Sequence, residues 1–186
     1  AGFYHSGTFQ SQEDRDAFYP LVVYKKGFKL AFLNYTYGTN NRKDYPPTII
    51  NRIDEALIES DMKSAKAFSP DAIIVVMHWG KEYLELSNED QKQLANKILS
   101  WGATLVIGAH PHFVQNIEKA KGKNKGLVAY SLGNLSPVKR SSIQTGGFYW
   151  KSNFQKTQKK RPGFPTILSF QFGVTFKKTK KVKKLL

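Results

Sequence analysis

The sequence predicts an α/β layered domain, on three observations. The runs Ala72-Ile73-Ile74-Val75-Val76-Met77 and Leu105-Val106-Ile107 are apolar and rich in β-branched residues. They do not alternate with polar residues, which is the pattern of strands covered on both faces. Two stretches with helical spacing accompany them, Ile58, Met62 and Ala65 before the first run and Leu94, Ile98 and Trp101 between the two. The resulting order, strand, helix, strand, helix, strand and then further strands, is that of a sheet layered with helices.

Each element has its own local signal. Leu21-Val22-Val23-Tyr24 and Phe28-Lys29-Leu30-Ala31-Phe32-Leu33, separated by Lys25-Lys26-Gly27, read as a β-hairpin. The second strand runs into the turn-rich segment Tyr35-Thr36-Tyr37-Gly38-Thr39-Asn40-Asn41. Thr48-Ile49-Ile50 is a short extended piece behind Pro46-Pro47. Asp54 is placed to cap a helix near 55–68, and Ser87 or Asn88 to cap one near 88–101. Gly102 stands where a left-handed residue ends the second helix. Val114-Gln115-Asn116-Ile117 and Leu127-Val128-Ala129-Tyr130 are expected to pair around the basic loop Lys119-Lys125. With the helices outside, Ile74, Val76, Leu94, Ile98, Val106 and Ile107 are the expected core.

Composition narrows the function classes. With 186 residues, 40% of them hydrophobic, the chain can bury roughly 70% of its unfolded surface as one domain. The absence of cysteine removes disulfide scaffolds, thiolate zinc sites and thiol nucleophiles. No apolar run approaches the ~20 residues that span a bilayer, and Ala1-Gly2-Phe3-Tyr4-His5 has no leader-like pattern. The net charge of +15 is unevenly placed: residues 1–138 carry +2, whereas residues 139–186 carry +13 and no acid. A near-neutral body with a basic tail is not the signature of a fold devoted to nucleic acid, and no specific nucleic-acid recognition is expected. In the tail, 166–172 alternates like a strand. Lys177-Leu186, with six lysines, is a candidate contact for an anionic surface.

Three of the four histidines follow the buried strands. His78 directly follows 72–77, and His110 and His112 follow 105–107 in Gly108-Ala109-His110-Pro111-His112. In an extended segment residues i and i+2 share a side, and Pro111 disfavours a helical His110. The carboxyl ends of strands in an α/β sheet are where ligands bind. Three neutral imidazoles there suit a transition metal, although ordinary hydrogen-bonded turn histidines are also compatible with the pattern. Glu82 is near enough in sequence to orient His78, and Asn134, in Tyr130-Ser131-Leu132-Gly133-Asn134, to face the same edge. Asp71 stands at the opposite end of its strand. Ser131 and Ser136 make only a weak case for a serine nucleophile, and no catalytic residue is assigned.

These motifs, with 28–40, His78-Trp79-Gly80-Lys81-Glu82-Tyr83, Gly108-Ala109-His110-Pro111-His112 and Tyr130-Ser131-Leu132-Gly133-Asn134 in that order, resemble the bacterial capsule-synthesis (CapA-like) proteins implicated in poly-γ-glutamate production. Asp71, Gln91 and Gln115 fit the same pattern. That family is similar to a branch of the calcineurin-like metallophosphoesterases. The resemblance covers roughly residues 3–138. It implies a C-terminal part of a four-layered α/β/β/α sandwich at 1–138; the composition of 139–186, by itself, marks a basic, partly disordered tail with a candidate strand near 166–172. The resemblance further implies metal-binding roles for His78, His110 and His112, with Glu82 and Asn134 as candidates for orienting them or touching substrate.

The resemblance also implies divalent ions (Mn, Zn or Fe), two in a full-length protein, and a phosphoester or anionic polymer as substrate. The family's Gly-Asp, Asn-x-Glu and Asn-Asn-His segments, which supply its acidic and bridging ligands, do not precede Ala1 here. The expected activity is therefore that of a metal-dependent hydrolase domain in capsule or poly-γ-glutamate synthesis with part of its metal site missing from this chain. The alternative is a non-catalytic accessory module that binds envelope polymer or partner subunits. A location in the bacterial envelope, membrane-associated or exported, and association with itself or a partner subunit complete the expectations.

Overall fold

The computed structural model describes residues 4–40, 45–120 and 126–134, together with the backbone of 148–159 and 167–178. The chain opens with β1 (Thr8–Phe9), α1 (Gln12–Phe18), the hairpin β2 (Leu21–Lys25) and β3 (Phe28–Thr36), and β4 (Ile49–Ile50). It continues with α2 (Glu55–Ala67), β5 (Ala72–His78), α3 (Glu89–Ser100), β6 (Leu105–Ala109), β7 (Ile117–Lys119) and β8 (Leu127–Ala129). A six-stranded sheet in the order β2-β3-β5-β6-β8-β7 organises the domain. Its four inner strands are parallel, and β2 and β7 run antiparallel at the edges. The α/β class is as the sequence predicts, with helices packed against this sheet.

Local chemistry explains the elements. Lys26 and Gly27, at φ of 50° and 77°, form the two-residue turn that joins Lys25 to Phe28. Positive φ at both central residues is what a right-twisted hairpin needs. Asp54 caps α2 by accepting from the Leu57 amide, and Asn88 and Gln91 form a reciprocal capping box on α3. Gly102, at φ 101°, ends α3 as expected.

One face of the sheet packs on the helices. Ala31, Leu33, Tyr35, Ile73, Val75, Met77, Val106 and Val128 meet Ile58, Met62 and Ala65 of α2 and Ala95, Ile98 and Leu99 of α3. The opposite face carries a second, smaller cluster of Phe28, Leu30, Ala72, Ile74 and Leu105, bordered by the partly buried Phe32, Ile107 and Leu127. This division corrects the expected core. Ile74, Ile98 and Val106 are buried, but Val76 and Ile107 are only half-buried because strand alternation points them to the face away from the helices. Leu94 is half-buried at the margin of the helix-side core.

A second correction concerns the strand pair after β6. Pairing runs between 117–119 and 127–129, and Val114 makes only an isolated bridge to Leu132. Residues 121–125 of the basic loop lie outside the described residues, as do Ser136 and 179–186 of the lysine-rich end. The tail contributes β9 (Phe148–Lys159) and β10 (Ile167–Lys178), an antiparallel pair. Of these two strands, the sequence pattern suggests only the one near 166–172.

The short α1 is anchored by charge. Arg15 donates from Nη2 to Asp61 on α2 at 2.6 Å and from Nε to Asn51 Oδ1 at 2.8 Å, while Tyr35 OH donates to the same Asp61 oxygen at 2.8 Å. Both side chains of the ion pair are about nine-tenths buried, at 11% and 8% exposure. Asn51 in turn donates its backbone N–H to Gly7 O, so the pair fixes the first residues of the domain beside the end of β3.

Candidate metal centre and cleft

Parallel register brings the strand ends together. Thr36 lies opposite His78, and His78 opposite Ala109. The chain segments that leave this row, 37–40, 79–83 and 110–112, therefore emerge at one edge. Along it runs a cleft of about 470 Å³ whose lining includes His78, Glu82, His110 and His112. Polar residues Ser6, Thr8, Asn34, Asn40 and Asn51 also line it. A volume of this order is that of a small-molecule site.

The three histidines meet as a cluster. The His78 and His110 rings are 4.7 Å apart between centroids and the His110 and His112 rings 6.2 Å. His110 and His112 do not reach the cleft on an extended segment, which corrects the expected geometry. Their φ values are 105° and 63°, so the pair sits on a tight turn. Non-glycine residues in the left-handed region carry strain, and such strain concentrates at functional sites. Tyr37 stacks on His78, with centroids 5.4 Å apart and planes inclined by 26°, and reaches within 4.5 Å of His110. Tyr83 stacks on His112 in the same way, at 5.5 Å and 28°.

Hydrogen bonds hold the outer two rings. His78 Nδ1 is 2.9 Å from Thr36 Oγ1, and His112 Nδ1 is 2.8 Å from Asn134 Oδ1. Asn134 thus touches a histidine directly. Glu82 does not orient His78, as sequence proximity suggests. Its Oε1 lies 3.5 Å from His112 Nε2, the ring nitrogen opposite the one bound to Asn134. Burial pushes the pKa of both His78 and His110 below the ordinary imidazole value. At His78 the other two histidines add to this; at His110 Glu82 opposes it and His112 adds to it. Neutral rings with a free lone pair are what a metal requires.

Imidazole is a ligand type that divalent transition ions take. The arrangement is less complete than the chemistry: among the described residues, no group of three or more His, Asp or Glu side chains converges on one ion position. Asp71 is engaged at the far end of β5, where it accepts from the Lys29 amide at 2.8 Å. Glu118 accepts from Asn116 and Tyr130. None of the described residues lining the cleft is lysine or arginine.

The loop that carries Glu82 and Tyr83 is held by amides. Gln91 donates to Gln115 at 3.0 Å, and Gln115 donates to the carbonyls of Leu84 and Leu86, each at 3.0 Å. Gly80, at φ 85°, passes so close to Gln91 that a Cβ would meet its carboxamide at 2.8 Å. Ser131 is buried, accepts from the Gly133 amide and makes no hydrogen bond to a histidine among the described residues.

Sequence reasoning missed Tyr83 and the wall from Ser6, Gly7, Thr8 and Asn51. Tyr83 stands next to a singled-out acid. The wall has no local signal, because it depends on β1 pairing with β4 and on Arg15 reaching Asn51.

Comparison with known proteins bears on these residues. The chain is 32% identical over 121 residues to "Capsule biosynthesis protein CapA" of Bacillus anthracis, covering 61% of this chain and 29% of that protein. It is 41% identical over 65 residues to "PGA biosynthesis protein CapA" of Bacillus subtilis (strain 168), covering 35% of this chain and 16% of that one. The chain thus matches less than a third of the length of either relative. A crystal structure of a hypothetical protein from Thermus thermophilus is similar over 83% of this chain and 60% of its own, with a TM-score of 0.44 and 12% identity. The family model for "Bacterial capsule synthesis protein PGA_cap" matches residues 1–137, well over half of the sequence, and the chain belongs to that family.

Proposed function

We propose that this chain is the histidine-bearing part of a metallophosphoesterase-like domain that acts in capsule or poly-γ-glutamate synthesis at the bacterial envelope. The observation that supports it is the gathering of His78, His110 and His112 at the carboxyl ends of β5 and β6 in one cleft. These residues would supply imidazole nitrogens to a divalent ion such as Zn, Mn or Fe once they close on a common position, since no three of the described side chains converge on one as they stand. When bound, such an ion supplies Lewis acidity toward a phosphoryl oxygen and lowers the pKa of a bound water. Glu82, facing His112 Nε2, contributes the negative charge that three neutral rings lack. No lysine or arginine stands among the described residues lining the cleft, and Ser6, Thr8, Asn34, Asn40 and Asn51 would offer hydrogen bonds to the uncharged portion of a substrate. Among the described residues no helix is long and apolar enough to cross a membrane.

The test is metal content by mass spectrometry, with calorimetric zinc titration, on the wild-type chain and on His110→Ala and His112→Ala. The expected result is about one zinc per chain, bound more tightly as pH rises through the imidazole pKa of about 6.5, and lost in both variants. A chain that takes up no metal under these conditions overturns the reading. Turnover of a chromogenic phosphoester is expected only from the full-length protein.

The alternative, a non-catalytic module that binds envelope polymer, is favoured by the hydroxyl- and amide-rich wall, which suits hydrogen bonding along a polar chain. Polymer retention that is equal with and without metal, and unaffected by His110→Ala, would select it.

A further inference from the structure

We propose that Thr36 is a positioning residue of the cleft, whose hydroxyl fixes His78 in the tautomer protonated on Nδ1 and so presents Nε2 as a lone-pair donor. The assignment follows from counting protons. The Thr36 hydroxyl has one proton, and it lies on the Gly38 carbonyl at 2.6 Å. The Gly38 N–H in turn donates to Thr36 Oγ1 at 3.2 Å. With its proton committed, Oγ1 can only accept from His78 Nδ1 at 2.9 Å, since two lone pairs facing each other at that distance would repel. A neutral ring carries one N–H, so Nε2 is left bare. Neutral histidine in water favours the other tautomer, and the protein must therefore impose this one.

The geometry is built into the sheet. Thr36 and His78 are register partners on the parallel pair β3 and β5, so their side chains leave the same face side by side. The bond from Thr36 to Gly38 is the local side-chain-to-backbone turn that threonine makes two residues ahead, and it holds the hydroxyl rotor. Tyr37 then closes the ring from its face. The same two-part arrangement recurs independently at His112, where the Asn134 carbonyl oxygen sits on Nδ1 and Tyr83 on the ring face. Both histidines are thus held through Nδ1, with Nε2 of His112 facing the Glu82 carboxylate at 3.5 Å. His110 has a tyrosine contact but no hydrogen-bond partner among the described residues.

The tautomer assignment stands on hydrogen bonds alone; its consequence for metal affinity rests on the reading of the cleft proposed above. The experiment separates the two. Long-range ¹H–¹⁵N spectra of the metal-free, ¹⁵N-histidine-labelled chain are expected to show His78 and His112 protonated on Nδ1. Thr36→Val keeps the shape and removes the acceptor. His78 should then move toward the Nε2–H form while His112 stays unchanged, and Thr36→Ser should restore the wild-type pattern. Zinc affinity should fall about 10- to 100-fold in Thr36→Val and recover in Thr36→Ser.

An Nε2–H tautomer on His78 in the wild-type chain overturns the proposal with no variant needed. So does a wild-type chain that binds zinc while Thr36→Val alters neither tautomer nor affinity. Tautomers as expected in a chain that never binds zinc would leave the positioning role standing and remove the metal reading.

Discussion

The side-chain amide of Gln91 on α3 donates to that of Gln115 at 3.0 Å, and both residues are almost wholly buried, at 2% and 3% exposure. Through this contact a helix that lies outside the cleft holds the loop bearing Glu82 and Tyr83, because Gln115 also binds the carbonyls of Leu84 and Leu86. Replacing Gln115 with Ala leaves the buried Gln91 amide without its acceptor, at a cost of about 1–3 kcal/mol, and releases the Leu84 and Leu86 carbonyls. Hydrogen–deuterium exchange is expected to rise selectively across residues 82–88. Unchanged protection there would mean that the loop is held by other contacts.

The Arg15–Asp61 pair is expected to matter more than a surface ion pair, because both groups are nearly out of water. Arg15→Leu leaves the Asp61 carboxylate with Tyr35 as its remaining partner among the described residues, and removing one member of a buried pair costs about 3–5 kcal/mol. Urea denaturation measures it. A loss below about 1 kcal/mol, the range of an exposed pair, would show that Asp61 reaches water once α1 is released.

Ile98 is fully buried between α3 and the sheet. Ile98→Ala should destabilise by about 2–5 kcal/mol through lost burial and the cavity left behind. A variant as stable as wild type would mean that the helix can collapse onto β5 and β6 without it.

Acid should weaken the metal-free fold through the cleft. Burial lowers the pKa of His78 and of His110 relative to the unfolded chain. As pH falls below the unfolded value of about 6.5, the unfolded state therefore takes up protons first. The stabilising contribution is complete above that pH and is lost as pH falls through the folded values. Urea midpoints are expected to drop between about pH 7.5 and 5.5, on either side of that value, with a smaller drop in His78→Asn. An identical drop in that variant would assign the effect to other groups.

Much of this architecture is set by residues within a few positions of each element. Lys26-Gly27 admits the positive φ of the hairpin turn, Asp54 and Asn88 cap their helices, and the apolar runs at 72–77 and 105–107 become inner strands of the sheet. The same strands place His78 and Glu82, and His110 with His112, at one end of the sheet, so the candidate residues are legible from the order of elements.

What only the tertiary structure decides is set by partners far away in the chain. The left-handed backbone of His110 and His112 has no local signal, and the extended geometry inferred for that segment is wrong. Glu82 faces His112 instead of His78 because amides from α3 and from Gln115 hold its loop. The half-burial of Val76 and Ile107 depends on the helices gathering on a single face. Which nitrogen of His78 carries its proton depends on Thr36, 42 residues earlier and beside it only through β3–β5 register. Propensity and periodicity act over a turn or a strand; hydrogen-bond partnership and burial are settled only when the strands lie side by side.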